Sequence, residues 1–230
     1  MDNVTCGFEP DSLTAIVGPN GAGKTTFFNL LSGQLPASSG RVLLKGEDVT
    51  RLPAPARARK GMGRAFQLTQ LFPRLTVLEN VRLVAQSRRG QGSDFWRVWS
   101  GKRDLIAKAE EYIGRVKLTH RAFDVAGTLP HGDQRKLEIA MLLALEPDIF
   151  LFDEPTAGMS IDEMPVVLDL IRAIRGKTVI LVEHKMDVVR QLADRIIVLH
   201  QGKLVADGEP AEVIASSVVQ EAYLGVQDGA

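Results

Sequence analysis

LTAIVGPNGAGKTTFFNLLSG, Leu13 to Gly33, decides the fold. Leu13 to Val17 is a short apolar run closed by a glycine, the pattern of a buried strand. Gly18, Pro19, Asn20, Gly21, Ala22, Gly23, Lys24, Thr25 and Thr26 follow, and they fit G-x-x-x-x-G-K-[ST]. A helix then runs to Gly33, which stops it. Strand, glycine loop and helix in that order form a phosphate cradle. The glycines let backbone N–H groups wrap closely around phosphate oxygens, and the helix points its positive end at the charge. Lys24 is expected to reach the β- and γ-phosphates, and the Thr25 hydroxyl to ligate Mg²⁺. A plain glycine turn is the alternative; the flanking strand and helix favour a nucleotide.

Outward from that loop, strands and helices alternate. RVLLK (41–45) and MGRAFQ (62–67) read as strands, and GEDVTRLP (46–53) as turn and loop. TVLENVRLVAQSR places Val77, Val81 and Val84 at helical spacing. KRDLIAKAEEYIGRVKL is a second amphipathic helix, and DQRKLEIAMLLAL a third, with Leu137, Ala140, Met141 and Ala144 on one face. DIFLF and TVILV are continuous apolar runs, as central parallel strands require. MPVVLDLIRAI and KMDVVRQLA are helical, and RIIVLHQGKLVADG is a hairpin turning near Gln201-Gly202. This alternation predicts an α/β fold with a parallel-sheet core. Residues 1–67 and 130–230 are expected to form that core, and 68–129 an inserted, mostly helical subdomain. Within 68–129, RGQGSDFWRVWSG reads as a surface insertion whose Phe95, Trp96 and Trp99 either contact a membrane subunit or the lipid headgroup zone or pack as a small cluster, the latter favoured.

Composition narrows the function classes. The 230 residues carry 28 basic and 28 acidic side chains, a formal charge of zero. A nucleic-acid binder normally shows a basic footprint, so none is expected as partner. Cys6 is the only cysteine, which excludes an internal disulfide framework and multi-cysteine metal sites and fits a reducing compartment. MDNVTCGFEPDS has neither the basic nor the apolar region of a signal peptide. No uncharged apolar run is long enough to span a bilayer; MLLALEPDIFLF is broken by Glu146, Pro147 and Asp148.

A second motif strengthens the nucleotide reading. IFLFDEP, Ile149 to Pro155, ends an apolar strand in two acids. Asp153 is placed to hold Mg²⁺ as a Walker-B carboxylate does, and Glu154 to act as general base. His184 in LVEHKMD and Gln67 in AFQ are unremarkable by themselves, a surface histidine and a strand-end amide.

The third motif changes their status. LPHGDQRKLEIAMLLALEPDIFLFDEPTAG resembles the signature-to-Walker-B region of ATP-binding-cassette (ABC) ATPases. With GPNGAGKTT, AFQLTQLFPRLTVLENV and ILVEHKMDVV, the order of motifs is similar along nearly the whole chain. HGDQRKLEIA and VQEAYLG look like the ATPase subunits of branched-chain amino acid importers and their relatives for urea or amides. The resemblance implies a P-loop NTPase fold, ATP and Mg²⁺ as ligands, and transport-coupled ATP hydrolysis at the cytoplasmic face of a membrane. Glu154 then resembles the catalytic glutamate and His184 the switch histidine. Gln67 resembles the glutamine that senses Mg²⁺ and water and couples to the membrane subunit. Thr25, Gln67 and Asp153 are the implied metal contacts. Partners would be integral membrane permease subunits and a second, head-to-tail ATPase whose signature closes over this chain's ATP. An exporter ATPase, as for lipopolysaccharide, is the alternative. A DNA-repair ATPase lacks support, because no heptads separate the loop from the signature.

The chain departs from the family pattern in places. Leu129, Pro130, His131, Gly132 and Asp133 stand for L-S-G-G-Q. Pro130 has neither the hydroxyl nor an N–H to offer. Asp133 puts a carboxylate near a polyanion, and Ser160 replaces a common aspartate. Two such signatures would be weak, which favours a heterodimer with an ATPase carrying an intact signature. Only 23 residues precede Lys24, and their sole aromatic, Phe8, is expected within the strand leading to the loop, so no adenine-stacking residue is assigned. The expectation is that the natural chain begins upstream, or that adenine is held otherwise and this form binds ATP poorly.

Overall fold

The computed structural model describes residues 1–65, 71–88, 102–174 and 176–224. The strands are β1 (Leu13–Val17), β2 (Leu43–Leu44), β3 (Glu47–Asp48), β4 (Met62–Ala65), β5 (Ile149–Asp153), β6 (Thr178–Val182), β7 (Arg195–His200) and β8 (Lys203–Gly208). The helices are α1 (Lys24–Ser32), α2 (Ala54–Arg59), α3 (Val77–Arg88), α4 (Lys102–Arg115), α5 (His131–Ala144), α6 (Met164–Arg172), α7 (Met186–Leu192), α8 (Pro210–Ala215) and α9 (Ser217–Leu224).

Six strands form one sheet in the order β4-β5-β6-β1-β7-β8. β1 pairs in parallel with β6 and β7, and β5 in parallel with β6. β8 runs antiparallel to β7, joined to it through Gln201 and Gly202, both at positive φ as a two-residue I′ turn demands. All five residues of β1 and of β6 are buried, so both read as continuous apolar runs.

Alternation along β1 sends its side chains into two cores. Ile16 packs with Phe27 and Phe28 of α1, Leu151, Ile180 and Leu199 on one face. Ala15 and Val17 pack on the other with Val189 of α7, Ile196, Val198, Val213 of α8 and Val219 of α9. Arg57 of α2 lies within this framework at 1% exposure. Its guanidinium donates to the carbonyls of Leu30 (2.7 Å), Leu31 (2.6 Å), Thr50 (2.9 Å) and Leu52 (2.9 Å). Two of those acceptors, Leu30 and Leu31, lie in the last turn of α1, where carbonyls run short of helical donors.

The contacts divide the chain into two compact units. One comprises Met1–Arg64, Asp148–Glu154 and Ile174–Ala230; the other comprises Ala65–Pro147 and Pro155–Ala173. In the second, α5 packs against α3 and α4, burying Leu137, Ala140 and Ala144. A capping box starts α3: Thr76 Oγ1 accepts from the Glu79 N–H at 3.2 Å, and Glu79 Oε2 accepts from the Thr76 N–H at 3.1 Å. This grouping carries α5 and α6 with the helical unit, whereas the sequence reading set 130–230 with the core.

Some elements differ from expectation. RVLLK and GEDVTRLP hold only the two-residue ribbon β2–β3, and PAPARAR forms α2 with Pro53 at its N-cap. Phe8 is not in the strand: Asp11 adopts φ 56° and β1 begins at Leu13. Phe8 packs instead on Phe27, ring centroids 6.4 Å apart. Gln67 and the Phe95, Trp96 and Trp99 insertion lie outside the described residues.

Candidate nucleotide site and signature

The phosphate loop joins β1 to α1. Gly18 carries φ 151°, and a Cβ there would lie 2.1 Å from the carbonyl oxygen of Leu199, so no side chain fits. Gly23 caps α1 at φ 100° with no side chain bonded to its first turn. The leading N–H groups of that helix have no helical acceptors, the arrangement that receives an anion. Asn20, Gly21 and Thr25 are exposed, whereas Ala22 and Lys24 are buried. The N–H of Gly202 donates to Ala22 O at 2.9 Å, fastening the loop to the β7–β8 turn.

Lys24 curls onto its own loop, donating to Gly18 O at 2.7 Å and Pro19 O at 3.0 Å. Burial pulls its ammonium below the usual lysine range, and the carboxylates of Glu154 and Asp153 work against that shift.

β5 delivers both acids. Asp153 is the last strand residue and fully buried. Glu154 turns away at φ 48°, and its N–H donates to Val182 O at 2.9 Å. A non-glycine residue in this region is strained unless its surroundings hold it, a pattern concentrated at functional sites. The turn aims Glu154 at His184, whose Nε2 lies 2.6 Å from Glu154 Oε1. The Nε2–H tautomer donates across this gap. Beneath it, buried Glu183 accepts from the N–H of His184 at 3.1 Å. The structure therefore brings Lys24, Asp153, Glu154 and His184 into one compact unit with the loop. Two partners were missed in the sequence: Glu183, and Arg64, whose Nη2 lies 3.0 Å from Asp153 Oδ2. An acid beside a histidine and an arginine two residues into a strand carry no motif of their own.

The signature segment belongs to the other unit. Pro130 is the N-cap of α5 and offers no side-chain bond to it. The charge of Asp133 is met within its own surroundings, by Arg121 Nε at 3.0 Å and Lys136 Nζ at 2.8 Å. A Cβ on Gly132 would lie 1.8 Å from Glu163 Oε1, so the glycine admits that carboxylate against the backbone. Glu163 is held there by the N–H (3.1 Å) and hydroxyl (2.9 Å) of Ser160. Those two bonds keep its carboxyl below the usual glutamate range. Ser160, where an aspartate is common in the family pattern, thus donates twice to the residue that precedes α6.

No group of three or more His, Cys, Asp or Glu side chains able to hold a metal occurs among the described residues. The oxygens present, the Thr25 hydroxyl and the Asp153 carboxylate, suit a Mg²⁺ that takes its remaining ligands from phosphate and water. None of the described helices is long and apolar enough to cross a membrane.

Comparison with known proteins agrees with this geometry. Residues 1–157 match the ABC transporter family. The chain is 37% identical to the high-affinity branched-chain amino acid transport ATP-binding protein LivG of Escherichia coli, over 98% of this chain and 91% of that protein. It is 36% identical to BraF of Pseudomonas aeruginosa, with the same two coverages. The lipopolysaccharide export ATP-binding protein LptB of Haemophilus influenzae is 31% identical over 99% of this chain and 91% of that one. Among solved structures, the ADP conformation of MJ1267, an ATP-binding cassette of an ABC transporter, superposes with a TM-score of 0.80 at 29% identity, covering 95% of this chain and 89% of that one. A dimeric post-hydrolysis state of the cassette MJ0796, bound to ADP and Pi, superposes with a TM-score of 0.78 at 27% identity, covering 90% and 89%. A phosphate loop, a buried strand-end acid and a paired glutamate and histidine coincide with these likenesses: the chain belongs to the ABC transporter family, as one of its ATP-hydrolysing cassettes.

Proposed function

We propose that this cassette powers the import of branched-chain amino acids or closely related small solutes, docked on permease subunits at the cytoplasmic face of the membrane. The observation that supports it is the likeness to LivG and BraF across 98% of the chain. The likeness to LptB at 31% is weaker, and export is the second reading. Apolar side chains suited to a permease stand on two neighbouring segments of the helical unit. Phe72 is 49% and Phe123 79% exposed, and backbone bonds Val77 N–H to Asp124 O (3.0 Å) and Ala126 N–H to Leu75 O (2.9 Å) tie their segments together.

The proposed chemistry follows from the side chains. The Gly18–Thr26 loop wraps the phosphates, and Lys24 trades its loop carbonyls for phosphate oxygens. Glu154 accepts a proton from the attacking water, and His184 orients Glu154 and meets the γ-phosphate. Gln67 completes the set from the family resemblance. Thr25 and Asp153 would hold a Mg²⁺, with Gln67 added by the family resemblance, and the bound ion would offset phosphate charge. Because Pro130 weakens this chain's signature, we favour a head-to-tail pair with a second, different ATPase.

The test is uptake of radiolabelled leucine into vesicles holding the permease with this cassette. ATP-driven accumulation is expected, and it vanishes with Glu154→Gln. Outward movement of lipid, with no leucine uptake, supports the export reading instead.

A further inference from the structure

We propose that Arg64 is a positioning residue for the hydrolytic reaction, holding the Asp153 carboxylate in the attitude that receives the nucleotide's Mg²⁺. The inference rests on the reading of Asp153 as the metal-side carboxylate. Arg64 stands on β4, next to β5 in the sheet. Its side chain is 9% exposed and that of Asp153 is 1% exposed, so the pair is shielded from water. One arm of the guanidinium reaches Asp153: Nη2 lies 3.0 Å from Oδ2. The other is anchored on α1 and just beyond it. Nη1 donates to Asn29 Oδ1 at 2.8 Å, Ser32 Oγ at 2.8 Å and Gln34 Oε1 at 3.1 Å. The carbon of the guanidinium sits 5.6 Å from the centroid of the Phe28 ring, also on α1.

This arrangement uses both features that separate arginine from lysine: a flat fork with fixed donor directions, and a face that stacks on an aromatic ring. Its geometric effect is specific. Thr25 lies in the first turn of α1, and Asp153 at the end of β5. These two oxygen donors come from elements far apart in sequence, yet they must meet one small cation with near-ideal octahedral demands. Arg64 is bonded to the carboxylate and to the helix that carries the hydroxyl. It sets one donor against the other before any cation arrives. A simple ion pair does not need two polar anchors and a ring on one helix with a third anchor just past its end; a device that registers α1 against β5 does.

The experiment is a Mg²⁺ titration of ATP binding by the full chain, read by fluorescence of a trinitrophenyl-ATP probe, with no turnover required. Arg64→Met is expected to raise the Mg²⁺ midpoint about 10-fold while Mg²⁺-free probe affinity stays within about 3-fold. Arg64→Lys keeps the charge and loses the fork, and falls between. If Arg64→Met does not fold, the double variant Asn29→Ala with Gln34→Ala loosens the anchor without stranding a buried charge, and raises the midpoint about 3-fold. An unchanged midpoint in the folded variants overturns the proposal, and so does a lowered one, which makes Arg64 a competitor of the cation. Asp153→Asn separates the two layers. If it leaves the midpoint unmoved, the reading of Asp153 fails and the proposal with it. If it raises the midpoint and the Arg64 variants do not, only the proposal fails.

Discussion

Glu154 shows how much one backbone angle does at the residue scale. At φ 48° its side chain leaves the line of β5 and meets His184 at 2.6 Å. A residue that continued the strand would point elsewhere. General-base loss typically lowers turnover by ~10²-fold or more. Glu154→Gln is therefore expected to keep ATP affinity and lose at least that much turnover, measured as phosphate release in the presence of the permease. The two acids were legible because they end an apolar strand downstream of a phosphate loop. His184 was singled out only through family resemblance, and the structure sets it against Glu154. Arg64 was not legible, because its partner Asp153 is a neighbour only through the sheet, and Glu183 was not, because an acid before a histidine carries no motif.

At the element scale, long periodic segments were readable and short ones were not. β1, β5 and β6 are uninterrupted apolar runs, and α3 to α5 hold their period over 12 to 14 residues. α2 has six residues, two prolines at its start and no apolar stripe. It exists because Arg57 answers four carbonyls. Each buried carbonyl left unpaired costs about 1–3 kcal/mol. Arg57→Met, which unpairs all four, is expected to cost about 3 kcal/mol or more in urea unfolding. Asp148 ties other elements together: Lys177 donates to it at 2.8 Å, and Lys45 of the β2–β3 turn pairs with it too. Those hydrogen bonds hold its carboxyl at about 2, against the usual 3.8. A depressed folded value stabilises above the unfolded value and is lost as pH falls through the folded one. Stability is thus expected to decline as pH falls from about 4 to 2, and the Asp148→Asn chain to show a shallower decline in urea midpoints over that window.

For the whole molecule, the question is what each cassette can do for its partner. Asp133 is answered by Arg121 and Lys136, which removes one objection to this signature. Pro130 remains, since a missing donor to phosphate cannot be neutralised by neighbours. A hydrogen bond to a charged group is worth about 1.5–3 kcal/mol. Pro130→Ser in the isolated chain at high protein concentration is expected to raise ATPase activity by roughly ten- to a hundred-fold on that basis. No rise removes the reason to invoke a second ATPase.

The place of β1 in the sheet has a further consequence during synthesis. The strand that feeds the phosphate loop is made long before either of its neighbours: β6 begins at Thr178 and β7 at Arg195. At ~5–20 residues per second, a ribosome takes on the order of ten to forty seconds to supply them. Throughout that interval LTAIV is an unpaired apolar ribbon with two open edges, the kind of surface that neighbouring nascent chains pair with. A chain released before Arg195 carries every residue of the phosphate loop and still lacks Leu199, the carbonyl against which Gly18 is seated.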